Sequence, residues 1–233
     1  MKKQDIIHVL EQQLRAAQGE RRAGKRDPVA HAARIALKQY QSRRLAHTHA
    51  DLLAASDTRA AALFFFNELY GARDLSQRDM DLERIIPTLQ RVLTVDALKT
   101  ITDAVVLDAL SEKLDSAMAA RLGRSFNDAQ YAAAFAAPDE WAERERQAAL
   151  VQQVGDALCK LVRIHFFLTT MLRVMRKPAH MAGLGDLQHF LEQGFNTFKA
   201  MRAPRQFVAT VVRRERQLME NLYAGRPQPF EVD

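Results

Sequence analysis

Histidines and carboxylates come first, because near neutral pH they are the side chains that ligate metals and move protons. His47-Thr-His49-Ala-Asp51 spells an HxHxD string. On a helix, however, His47 and Asp51 share a face while His49 points about 200° away from His47. A common metal site would require the helix to break there, so solvated or capping roles are expected. His165 replaces an apolar residue in a hydrophobic stripe, just before Phe166-Phe167. An imidazole in that setting is a candidate cofactor-binding residue, as an axial ligand of haem iron, or a buried base. The simpler role is a hydrogen bond to a neighbouring helix, with Thr169 one turn away, and no cofactor is expected.

Other reactive signatures are missing. A di-iron bundle needs paired Glu-x-x-His motifs, and the chain offers only Asp186-x-x-His189. There is no Gly-x-Ser-x-Gly elbow, Walker loop or GxGxxG. Gly183-Leu-Gly185 precedes a helix whose start could receive an anion, although two glycines there more often just turn the chain. Cys159 is the single cysteine; it excludes an intrachain disulfide, suits a reducing cytoplasm, and reads as an inert core thiol. Asp74, Asp79, Asp81 and Glu83 interleave with Arg73, Arg78 and Arg84, a pattern of helix-start charge and local ion pairs. The sequence therefore predicts no catalytic residue and no metal site.

Binding surfaces are the remaining class. Phe64, Phe65, Phe66 and Tyr70 form an aromatic cluster. It is core in the plain reading; if Phe64 or Phe65 stays exposed, Phe64, Phe65 and Tyr70 become a partner-binding patch. The net charge of +6 is unevenly distributed. Residues 1–45 hold 11 Lys/Arg against 4 Asp/Glu, residues 46–159 hold 11 against 18, and residues 160–216 hold 11 against 3. Folding back would neutralise the basic ends against the acidic middle. Alternatively, Arg21, Arg22, Lys25 and Arg26 with Arg213, Arg214 and Arg216 would build an anion-binding face for phosphates or lipid headgroups. No glycine-spaced or aromatic-interleaved basic motif supports a nucleic-acid module.

The elements that must position these residues are all helical. With 48% apolar and 27% charged residues but only 9 Gly and 7 Pro, the composition favours helix. Ile6, Leu10 and Leu14 mark a first helix that fades into GERRAGKRD, so residues 1–26 are expected to be loosely attached. Asp27-Pro28 is a helix start, and that helix runs to about Ala55. Ser56-Asp57 opens the next, which Gly71 ends. Ser76 to Asp79 resembles a capping box, with a kink or break expected at Pro87. Thr94-Asp96 starts a helix ending at Gly123, and a short one follows over 127–135. The longest, about 139–177, is expected to end at Pro178. It carries two seven-residue series, Val151/Leu158/His165/Leu172 and Val154/Leu161/Leu168/Met175. A helical hairpin over 186–202 and 204–224 precedes a loose tail, 226–233. This predicts one all-α, multi-helix bundle over 1–233.

The segment Phe65-Phe66-Asn67-Glu68-Leu69-Tyr70-Gly71, followed by ARDLSQRDMDLERIIPTL, resembles the bacterial FFLEELY-motif proteins. Aligned from Phe64 the string reads FFFNELY; Asn67 marks the departure from the Leu-Glu of the name, and the Glu-Leu-Tyr-Gly ending is intact. The resemblance extends towards Met181–Glu192. It implies a bacterial, cytoplasmic, helical protein of no established function, and it transfers no functional residue.

The leading expectation is thus a non-enzymatic protein that works through a protein partner or by self-association, with the aromatic corner around Phe64 to Tyr70 and the long helix over 139–177 as candidate surfaces. Two alternatives stand beside it: a bundle with an internal pocket for an apolar ligand or haem near His165, and electrostatic nucleic-acid binding through residues 21–44 and 199–216. No apolar run reaches the roughly 20 residues that cross a bilayer, and no membrane partner is expected.

Overall fold

The computed structural model describes residues 2–66, 75–164 and 166–232. These form eleven α-helices and one short 3-10 turn, with no strand among the described residues. In chain order the helices are α1 (Lys3–Arg26), α2 (Pro28–Thr48), α3 (Ala50–Ala54), α4 (Arg59–Phe64), α5 (Ser76–Val92) and α6 (Val95–Leu122). After them come α7 (Asp128–Phe135), α8 (Trp141–Ile164), α9 (Phe166–Met181), α10 (Gly185–Ala200) and α11 (Pro204–Tyr223). The protein is all-α. The central 28-residue α6 packs against α1, α2, α7 and α8; α11 lies along α8, and α10 along α9.

The N-terminus departs from expectation. α1 is a continuous 24-residue helix, not a short one on a loose connection. Its Ile6, Ile7, Leu10 and Leu14 are buried with Leu82, Ile86, Leu98 and Val105 of α5 and α6. Gly24, which looked like linker punctuation, is instead a contact point: a Cβ there would sit 2.8 Å from the Arg34 side chain of α2. The tail is also docked. Phe230 and Val232 pack on the Tyr131 cluster, and the Asn221 amide donates to the carbonyls of Pro229 and Glu231.

Local signals set most helix ends. Asp27 caps α2, its Oδ1 accepting from Val29 N at 2.8 Å, with Pro28 at the first position. Thr94 caps α6, and Asn127 and Gln130 form a reciprocal capping box at α7. Gly123, Gly183 and Gly225 have positive φ. At Gly183 and Gly225 the following amides reach back to Ala179 and Asn221, closing paired Schellman turns.

Other signals failed. α2 ends at Thr48, and the chain turns at His49 before α3. Ser76 does not cap α5; Leu75 occupies that position and Asp79 is turned inward. α5 continues through Pro87, and α9 continues through Pro178 to Met181. Each proline removes one hydrogen bond to the carbonyl four residues back, and neither loss ends its helix here. The stretch expected as one long helix comprises the turn Pro138–Glu140, α8 and α9. The Gly71 terminator and the α8–α9 junction at His165 lie outside the described residues.

α8 and α11 run antiparallel. Val208 packs over Gly155, and the Trp141 and Tyr223 rings meet edge-on at 4.7 Å. A Cβ on Gly155 would come within 2.5 Å of Val208 Cγ1. The glycine therefore fixes the spacing of two helices that enclose the Phe198/Phe207 core. Gly155→Val is expected to lower stability by about 1–3 kcal/mol through overpacking, read as a fall in the urea midpoint; an unchanged midpoint would refute this packing argument.

Candidate interaction surface

Three polar networks take up four of the residues that the sequence put forward: Arg21, Arg78, Asp79 and His49. The largest lies where α1, α2, α5 and α6 meet. Arg21 bonds Asp79 and both carboxylate oxygens of Asp108, the latter at 2.7 Å, and stands 3.5 Å from Glu112. Arg78 bonds Asp79 at 2.9 Å and Asp108 at 3.1 Å, while Arg34 and Lys38 converge on Glu112. Arg21, Asp79 and Glu112 are buried. Burial alone would lower the Arg21 pKa, but Asp108, Glu112 and Asp79 reverse that and hold the guanidinium firmly charged.

The second network surrounds Glu215, which sequence reading did not single out. Arg44 Nη1 bonds its two oxygens at 2.5 and 2.7 Å, and His49 Nε2 donates to Oε1 at 3.1 Å. His49 is fully buried and stacks on Phe66, centroids 5.6 Å apart. The expectation of a solvated or capping His49 is corrected: the turn after Thr48 swings its ring inward. Burial would raise the Glu215 carboxyl, but Arg44 and the His49 hydrogen bond outweigh it and hold the pKa at about 2. In the third network Glu140 bridges Arg121 and Arg144, and Arg144 lies 3.8 Å over the Phe135 ring.

The anion-binding set does not assemble into one face. Arg21 is enclosed by carboxylates; Arg22 folds back onto Gln18, and Lys25 bonds Ser76. Arg214 bonds Asp51 at 2.6 Å. Arg26 and Arg213 are exposed, on α1 and α11 respectively. Arg213 and Arg216 border an open groove of about 390 Å³ between α8 and α11. A second groove of about 320 Å³ lies among α1, α6 and α8. Cys159 is buried and free. Among the described residues no group of three or more His, Cys, Asp or Glu side chains is placed to hold a metal.

The aromatic cluster follows its plain reading as core over Phe64 to Phe66. Phe64 and Phe66 are buried and Phe65 is half-buried against the core, so Phe64 and Phe65 do not form an exposed patch. They act as anchors instead. Phe64 meets Phe190 at 5.4 Å and fills the space over Gly194, where a Cβ would come within 2.8 Å of its ring. Phe65 contacts Phe198 and Phe207. Both therefore hold α10 to the body of the protein. Tyr70 and His165 lie outside the described residues.

What α10 carries is α9. The Gln188 amide donates to the Leu172 carbonyl at 2.6 Å, and Arg176 grips both oxygens of Glu192. Gly185, where a Cβ would crowd the His180 ring at 2.9 Å, closes the turn. Beyond Leu172, α9 leaves the core: from Arg173 to Met181 only Ala179 is buried. Met181 is 90% exposed and Val174 66%, and Met175, expected in a packed seam, also faces solvent. Val174, Pro178 and Met181 follow the i, i+4, i+7 spacing of one helical edge, with Arg173 and Lys177 beside them. The sequence offered the whole helix over 139–177 as a candidate surface and did not single out this edge, because apolar spacing is the same whether a helix face turns inward or outward.

The profile of a family described as a domain of unknown function (DUF8198) matches residues 20–229. The chain belongs to the DUF8198 family. Comparison with curated proteins and with solved structures gives no match. The family match spans every helix from the end of α1 to α11, so the DUF8198 region includes the three ionic networks and the α9–α10 hairpin. No helix among the described residues is long and apolar enough to cross a membrane.

Two outcomes follow from the networks. Arg21→Met takes a shared cation from two buried carboxylates, Asp79 and Glu112, and from half-buried Asp108, and is expected to destabilise the DUF8198 chain by roughly 3–5 kcal/mol; a loss under about 1 kcal/mol in denaturant titration would refute a structural role for Arg21. The Glu215 contribution has a defined pH sign. Its carboxyl is depressed from 4.5 to about 2, so the stabilisation is complete above 4.5 and is lost as pH falls towards 2. Unfolding free energies of wild type and Glu215→Gln should converge over that interval; a gap that stays constant with pH would refute the assignment.

Proposed function

We propose that this protein acts by association rather than catalysis, and that the α9–α10 hairpin is its docking element. The observation that carries this reading is the exposed apolar edge Val174–Pro178–Met181, set on a helix whose root is fixed by ion pair, amide and aromatic contacts. Large apolar side chains grouped on one fixed element and left in water are a feature of interaction sites, whereas isolated ones are ordinary surface. The charge around the edge favours a partner carrying negative charge. A second copy docking through the same edge would bring Arg173 and Lys177 towards their own counterparts. Following the resemblance at Phe64–Gly71, we place this docking in the bacterial cytoplasm.

The test is site-specific photo-crosslinking in cells. A benzophenone side chain replacing Met181 or Val174 is expected to give discrete adducts. The same group at Arg15, an exposed position on α1, is expected to give none. Absence of adducts at both hairpin positions, in protein that folds normally, would remove this assignment.

A further inference from the structure

Between Asp156 and Asp186 the chain has no carboxylate: residues 157–185 hold five Lys/Arg and no Asp or Glu. That run includes all of α9. Elsewhere arginines of the basic segments, such as Arg21, Arg34, Arg44 and Arg214, are paired with acids of neighbouring helices. Among the described residues Arg176 is the one cation of α9 with such a partner, Glu192, while Arg173 and Lys177 project from the exposed part of the helix. Arg84 of α5 comes to the same tip, its guanidinium bonding the Ala182 carbonyl at 2.5 Å. Arg84 also stands 4.0 Å from Asp81, and Asp186 is exposed at the start of α10. The exposed part of α9 therefore combines the positive charge of Arg173 and Lys177 with Val174, Pro178 and Met181 in water.

Resting on the docking reading above, we infer that the partner is the surface of an anionic lipid bilayer, on which α9 lies with its exposed edge among the headgroups. The chemistry matches an interfacial helix. Apolar side chains enter the acyl boundary while long cationic side chains beside them bend back to the phosphates. A row of single apolar residues on a convex helix edge suits a fluid surface that closes around it. Neither of the two grooves described above adjoins it. The lack of a spanning helix concerns crossing a bilayer and does not bear on lying upon one. Each cation near such a surface adds an increment that salt screens.

The experiment is co-sedimentation of the full chain with vesicles of phosphatidylcholine alone or with roughly 30% phosphatidylglycerol. The protein should pellet with the anionic vesicles and stay in solution with the neutral ones. Binding should weaken at least about fivefold when salt rises from about 0.05 to about 0.3 M. The double change Val174→Asp and Met181→Asp should weaken it about tenfold or more without altering the thermal melt. If that variant melts early, Lys177→Glu against Arg91→Glu decides, since both change net charge equally and Arg91 is exposed on α5; only the former should impair binding. Failure to pellet with either vesicle, or equal binding by wild type and the hairpin variants, overturns the inference. Protein adducts from the crosslinker at position 181 without vesicle binding would leave the docking reading standing and replace the bilayer with an acidic protein.

Discussion

Four cations and three carboxylates meet where α1, α2, α5 and α6 cross, and the arrangement of those helices depends on their pairing. Arg21, Arg34, Lys38 and Arg78 face Asp79, Asp108 and Glu112 with little access to solvent. A buried ion without its partner is far more costly than a missing apolar contact. The cluster is thus a condition on register: sliding α1 by one residue along α6 would take Arg21 from three acids at once. The apolar layer of Ile6, Leu10 and Leu14 supplies attraction over a broad range of registers, and the ionic layer selects among them.

The same economy explains where binding capacity remains. Arg21, Arg34 and Arg44 of the N-terminal segment hold helices together, and the aromatic run from Phe64 to Phe66 wedges α10 against the core. Rigid attachment at the root of the α9–α10 hairpin and exposure at its tip are complementary properties. An element that keeps apolar groups in water must be held by contacts elsewhere, and Gln188, Glu192 and Phe190 provide them.

The helical architecture was legible in the residues because its causes are local: Asp27-Pro28, Thr94, Asn127, Gly123 and Gly225 act on their immediate neighbours. What was not legible depends on distant partners. Asp79 looked like a cap and proved to be a buried ligand of Arg21, 58 residues away. Gly24 looked like a linker and is a point of close approach. Pro87 and Pro178 looked like stops, yet both helices continue past them. Phe64 and Phe65 gave no sign of which way they face, since a helical stripe records period and not direction. Of the candidate site, only the basic and apolar composition of α9 could be read in advance. Its exposure depends on α10 covering one side and, among the described residues, no element covering the other.

The pairing of Arg21 with Asp108, 87 residues later in the chain, imposes an order on folding. α1 is synthesised well before α5 and α6, which carry the partners of its apolar stripe and of its guanidinium. Contacts so distant in sequence pay their loop-closure cost before they return any stabilisation. During synthesis α1 must wait, with Ile6, Leu10 and Leu14 open to water, until α5 and α6 have followed it. A nascent chain in that condition is a natural client for chaperones. The waiting period is set by topology, so changes on the mature surface would leave it untouched.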